Sequence, residues 1–219
     1  MPRISHARVN ILDAAHELFW NNSYESVGVE AICQQAGVKK GSFYHFFATK
    51  EAVALTLLDQ IHTSSRELLL TPAFTPDIPV RQRFDRFLEI LAQLTLENHH
   101  AVPLTRYPGC PIGNMILELS TKSEALRVKL LAIIETYTVT FQEAIEESRL
   151  DGSLAAQASS RELAEMLVAT WQGGILMAKV HNESTMGIKV FQRSLQQIFT
   201  PVSHPPKPQE AHCDDRVET

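Results

Sequence analysis

Apolar residues return every three or four positions along nearly all of this chain, the spacing of one face of an α-helix. Ile11, Ala14, Ala15, Leu18 and Phe19 mark a first such face, which Asn21-Asn22-Ser23 closes. A short helix over Gly28 to Gln35, with Val29 and Ile32 inward, leads to the tight turn Ala36-Gly37-Val38, where Gly37 is free to take positive φ. A third helix is predicted over Lys39 to Phe46. Thr49 is placed to cap a fourth, whose stripe is Ala54, Leu57, Leu58, Ile61, Ser65 and Leu68.

Three prolines between Thr71 and Pro79 predict a loop, with Asp77 as N-cap of a helix carrying Val80, Phe84, Phe87, Leu88, Leu91 and Leu94. A polar turn at Asn98-His99-His100 leads through Pro103 to Tyr107-Pro108-Gly109-Cys110-Pro111 and a short helix over Ile112 to Leu119. Leu126, Leu130, Ile133, Tyr137, Phe141 and Ile145 line a long helix that Asp151-Gly152 breaks. Ser159 and Glu162 have the capping-box spacing for the next, and Ile188, Phe191, Leu195 and Ile198 line a ninth. No strand alternation occurs, so the fold class is all-α with about nine helices. The reading gives a three-helix domain over 1–48, a larger helical domain over 49–200, and an aperiodic, disordered tail over 201–219.

Composition narrows the classes of function. With 44% hydrophobic and 21% charged residues, the 219-residue chain matches ordinary globular proteins. Its formal net charge of -5 excludes a generic polybasic binder but not a local basic patch. Three widely spaced cysteines, Cys33, Cys110 and Cys213, form no disulfide framework and fit a reducing cytosol. The N-terminus has no signal-peptide apolar run, and no apolar stretch is long enough to span a bilayer. Adjacent His99 and His100 cannot converge on a metal as an i, i+4 pair does. No cofactor, metal site or catalytic constellation is expected.

The basic patch is local indeed. In "AGVKKGSFYHFFATKE", Lys39 and Lys40 precede the small pair Gly41-Ser42, an aromatic block from Phe43 to Phe47, and Lys50. Two short helices joined by a glycine turn form a helix-turn-helix, whose second helix enters the major groove of double-stranded DNA. Lys39 and Lys40 sit where they oppose the helix dipole but reach phosphate or guanine. Gly41 and Ser42 allow close backbone approach, Tyr44 and His45 offer polar tips for phosphate, and Phe43, Phe46 and Phe47 face inward. Lys50 is expected to add a phosphate cation at a helix N-terminus, where free amides bind anions as well.

Residues from about Arg8 to Val53 resemble the DNA-binding domain of the tetracycline-repressor (TetR) family. The match rests on Ile11-Leu12-Asp13-Ala14-Ala15, Leu18-Phe19, Val29-Glu30-Ala31-Ile32, Ala36-Gly37-Val38, Lys40 to Phe47, and Lys50-Glu51. The resemblance implies a homodimeric repressor released from a palindromic operator by a ligand. Where the family has a Thr or Ser cap touching phosphate, this chain has Ser26-Val27-Gly28; either Ser26 caps or Gly28 offers its amide.

Beyond that domain, Ser160 to Asn182 is apolar nearly all round, as a helix buried on every side is. With the last helix it resembles the family's dimer interface, so Trp171, Gly174, Ile175, Phe191 and Leu195 are expected there. Arg106 to Ser120 resembles a subgroup that senses electrophiles or small unsaturated acids. Cys110, just before a helix N-terminus and four residues from Arg106, is either a lowered-pKa sensor thiol or a small packed residue. Arg106, Tyr107 and Asn114 are the expected polar contacts to an effector. A redox protein or enzyme built on Cys110 is the alternative, with no base or cofactor site in the sequence to support it.

Overall fold

The structure, a computed structural model, describes residues 6–101, 106–150, 154 and 157–199, with the side chains of 96–101 excepted. The tail over 201–219, Cys213, Asp151-Gly152 and the side chains of His99 and His100 lie outside the described residues. Helices α1 (His6–Asn21), α2 (Val29–Ala36) and α3 (Lys40–Phe46) form the N-terminal head. Helix α4 (Lys50–Ser65) runs on through a π-helical turn (Arg66–Leu70) into the short α5 (Thr71–Ala73). Then come α6 (Val80–Ala101), α7 (Pro111–Leu119), α8 (Glu124–Leu150), α9 (Ser160–His181) and α10 (Met186–Phe199). The described residues contain no strand.

Local signals held where a cap or turn enforced them. Gly37 takes φ 65° and ends α2. Thr49 Oγ1 accepts from the Ala52 amide at 3.0 Å. Ser159 and Glu162 form a reciprocal capping box.

Four local readings need correction. Thr71–Ala73 is helical, because Pro72 sits in a first turn where its missing N–H costs nothing. The inserted π turn shifts the helical phase, so Leu69 and Leu70 are buried while Leu68 points outward. Asp77 lies in a turn three residues ahead of α6 and does not cap it. The predicted turn at Asn98-His99-His100 is the end of α6, since no proline or glycine stops that helix before Pro103.

The C-terminal domain is organised by an aromatic cluster. Phe87 meets Trp171 edge to face at 5.4 Å and Phe141 at 5.3 Å, while Phe191 stacks against both Phe87 and Phe141 at 5.6 Å. Arg83 staples the 74–79 loop to α8. Its buried guanidinium donates to both carboxylate oxygens of Glu147, at 2.6 and 2.9 Å, and to the Ile78 carbonyl at 2.9 Å.

Helices α9 and α10 cross at two glycines. A Cβ built on Gly174 would lie 3.0 Å from the Gly187 Cα, whereas one on Gly173 meets nothing within 4 Å. Gly174→Val is therefore expected to destabilise the fold by about 1–3 kcal/mol through overpacking. Gly173→Val should leave the fold intact and act, if anywhere, on association. Denaturant melts and light scattering of the two variants separate these effects; equal melting midpoints would contradict the packing argument.

This crossing also corrects the expected dimer residues. Trp171, Gly174, Phe191 and Leu195 are buried within the single chain, and Ile175 packs against the same core. Among the residues that α9 leaves exposed, Met166, Gly173, Leu176, Met177 and Val180 fall on one helical stripe.

Candidate DNA-reading head and effector cavity

The reading head is built by burying one side of α3. Phe43 is fully buried and Phe47 nearly so, which fixes the opposite side outward. There Lys39, Lys40, Gly41, Tyr44 and His45 are exposed and Ser42 is half-buried. A Cβ on Gly41 would meet nothing within 4 Å, so the backbone is open to a large partner. Lys40 forms an exposed ion pair with Glu30 at 3.2 Å, a surface contact weak enough to exchange for phosphate. Gly28 is the N-cap of α2 without a side-chain cap, and Ser26 Oγ donates instead to the Ser23 carbonyl at 2.7 Å.

Lys50 is placed otherwise than expected. Its ammonium donates to the carbonyls of Tyr24 and Val27, both at 2.9 Å, and lies 4.1 Å from the centroid of the Tyr24 ring. Its charge is engaged inside the head, locking the α1–α2 connection onto α4. Residue type and position alone suggested a phosphate cation; the carbonyls that claim the ammonium are 23 and 26 residues away.

A cavity of about 490 Å³ lies under the head. Its walls come from both domains: Leu12, Asp13, His16 and Trp20 of α1, Leu57 and Ile61 of α4, Leu91 and Leu94 of α6, Tyr137 of α8, and Trp171 and Ile175 of α9. The turn from Tyr107 to Ile112 closes one side. That turn is held by the Asn114 side chain, which donates to the Pro108 carbonyl and accepts from Lys179 Nζ, both at 3.0 Å. Gly109 takes φ 82°, and a Cβ there would press on the Lys179 side chain at 3.3 Å. The Tyr107 amide donates to Asn182 Oδ1 at 2.6 Å.

Of the four expected ligand contacts, Tyr107 and Cys110 line this cavity. Asn114 does not; its side chain is spent on bracing the turn. Arg106 is exposed and outside the wall. Cys110 is the N-cap of α7, as expected, but its thiol is not lowered. Burial pushes it up, and this outweighs the opposing hydrogen bonds from the Gly113 and Ile112 amides and the Gln172 side chain. Sequence reasoning missed α1 as a wall. Its inward face was legible, but His16 and Trp20 share a cavity wall with the other domain only because α1 lies across it.

Glu118, at the far end of α7 from the cavity, reaches back to the head. Its carboxylate accepts from the amides of Tyr24 at 3.0 Å and Glu25 at 2.8 Å, and from the Ser23 hydroxyl. Close by, Ser123 Oγ donates to Glu51 at 2.8 Å. One rigid helix thus touches the cavity with its first residues and the head with its last.

A helix-turn-helix head of three helices, set against a larger helical domain with a cavity walled by both, is the plan of a DNA-binding regulator. The chain belongs to the TetR family: residues 11–57 match the model of bacterial regulatory proteins of the tetR family, and residues 88–193 match that of the tetracyclin repressor-like C-terminal domain. It is 30% identical over 173 residues to the HTH-type transcriptional repressor DhaR of a Mycobacterium species, covering 79% of this chain and 82% of that one. It is 32% identical over 183 residues to the transcriptional regulator AcuR of Cereibacter sphaeroides, covering 82% and 79%. A regulatory protein TetR from Rhodobacter sphaeroides superposes with a TM-score of 0.75 at 27% identity, over 88% of this chain and 98% of that one. No helix among the described residues is long and apolar enough to cross a membrane.

Proposed function

We propose that the protein is a transcriptional repressor that binds a palindromic operator as a homodimer and leaves it when a small molecule fills the cavity. The observation that carries this reading is the shared wall. An occupant touches α1 of the head and α4, α6, α8 and α9 of the larger domain at once, so it can favour one arrangement of the two over another. Only such differential contact shifts the equilibrium between a DNA-competent and an incompetent state. The exposed stripe Met166–Gly173–Leu176–Met177–Val180 supplies the apolar face for a second copy, and two-fold symmetry matches a palindrome. Release by non-covalent occupancy fits the raised thiol of Cys110 better than attack by a standing thiolate.

Operator selection from random duplexes, followed by anisotropy titrations over a range of salt, tests the reading. Lys39→Ala is expected to cost about 1–3 kcal/mol on the selected operator and less on unrelated DNA, as a base contact does. Tyr44→Phe should weaken both about equally, as a phosphate contact does. A protein that selects no sequence, or that binds one-to-one as a monomer, would overturn the proposal. Lys40 and His45, both exposed, are expected to add phosphate contacts, with the Gly28 amide at the start of α2.

A further inference from the structure

We infer that the effector held in the cavity is an uncharged molecule with an apolar, ring-bearing body and a hydrogen-bond acceptor such as a carbonyl oxygen, and that carboxylates are excluded. This rests on the reading of the cavity as the effector site and deepens it. The wall holds no lysine or arginine among the described residues, and the sequence from 96 to 105 contains neither. Arg106 lies outside, and the Lys179 ammonium is engaged on Asn114. The acidic residue on the wall is Asp13, whose charge repels an anion.

The remaining polar side chains on the wall, Gln60, Ser64, Thr95 and Ser184 among them, are uncharged. Burial pulls the His16 pKa down, so that near neutral pH its imidazole carries no charge to offer a carboxylate. Burial likewise holds the Tyr107 and Tyr137 hydroxyls protonated, pushing both up to about 12. The Trp20 indole forms part of the wall, and its buried Nε1–H finds no acceptor among the described residues. Around these groups much of the surface is Leu, Ile and Trp. A volume of about 490 Å³ suits a molecule of one or two rings rather than a three-carbon acid. A charge buried here without a partner is heavily penalised, whereas a neutral acceptor is matched by the Trp20 indole N–H, a donor already in place.

Calorimetric titration of the full-length, DNA-free protein at neutral pH with benzophenone, diphenylmethane and diphenylacetate tests this. All three carry two phenyl rings on one carbon and differ in bearing a carbonyl, no acceptor, or a carboxylate. Benzophenone is expected to bind tightest. Diphenylmethane should be roughly tenfold weaker, the loss of one hydrogen bond. Diphenylacetate should be weaker by on the order of a hundredfold, the cost of an unpaired buried charge. Leu68→Arg, at an exposed position on the cavity lip, should raise diphenylacetate affinity about fivefold or more and leave benzophenone nearly unchanged.

Diphenylacetate binding as tightly as benzophenone, no binding of benzophenone, or no gain for the acid in Leu68→Arg would each overturn the proposal. Because binding is read without DNA, these outcomes bear on the ligand class alone. Tight benzophenone binding without operator release would instead count against the regulatory reading.

Discussion

Lys50→Ala is expected to lower the stability of the head by about 2–4 kcal/mol and to weaken DNA binding with it, while leaving the salt dependence of binding almost unchanged. The ammonium makes two charge-assisted hydrogen bonds to the Tyr24 and Val27 carbonyls, and each such bond contributes about 1.5–3 kcal/mol. Removing it takes from the Val27 carbonyl its only side-chain donor among the described residues and from the Tyr24 carbonyl one of two donors, the Val27 amide remaining at 3.2 Å, and uncovers the Tyr24 ring. A lysine that touched phosphate would behave in the opposite way: its loss would reduce the log–log salt slope by about one and leave the melting curve in place. Chemical denaturation and anisotropy at several salt concentrations, run on the same variant, decide between the two. A changed slope with unchanged stability would restore Lys50 to the DNA interface.

Glu118→Gln is expected to uncouple the cavity from the head: effector affinity is retained, and operator release falls by roughly fivefold or more, the loss of a coupling of about 1–3 kcal/mol. The carboxylate accepts three hydrogen bonds from the Ser23–Glu25 turn, and α7 is the helix whose N-terminus lines the cavity. The glutamine has one acceptor oxygen where Glu118 has two, and its amide nitrogen would face a donor. Burial pushes the Glu118 carboxyl up, but the Ser23 hydroxyl, the Glu25 and Tyr24 amides and the Lys122 charge together bring it below its ordinary value of 4.5. A carboxylate whose folded pKa is depressed adds stability above its unfolded pKa and loses it as pH falls through the folded one. The link is therefore complete at neutral pH and should fail only below the ordinary carboxylate range. Effector titrations of DNA-bound wild type and variant check this, with calorimetry confirming that the ligand still binds. Equal release curves would mean that coupling runs through α1 or α4 without α7.

Much of this protein is settled by local physics. The helical period, the Gly37 turn, the Thr49 cap and the Ser159–Glu162 box are each fixed by residues within four positions of one another, so the sequence by itself determined an all-α chain. It determined the exposed face of α3 as well, because burial of Phe43 and Phe47 leaves Lys39, Lys40, Tyr44 and His45 one direction to point. Only the tertiary structure decided which partners the ambiguous groups take. Gly174 approaches Gly187 of its own chain. Lys50 spends its charge on two carbonyls distant in sequence. Cys110 is desolvated beyond what its N-terminal amides offset. The fate of an apolar face or a charge depends on what packs over it, and here that is set by contacts dozens of residues away. For the same reason the cavity could not be read from any one stretch: its walls belong to helices from both domains, and α1 becomes one of them only when the head sits on the domain below.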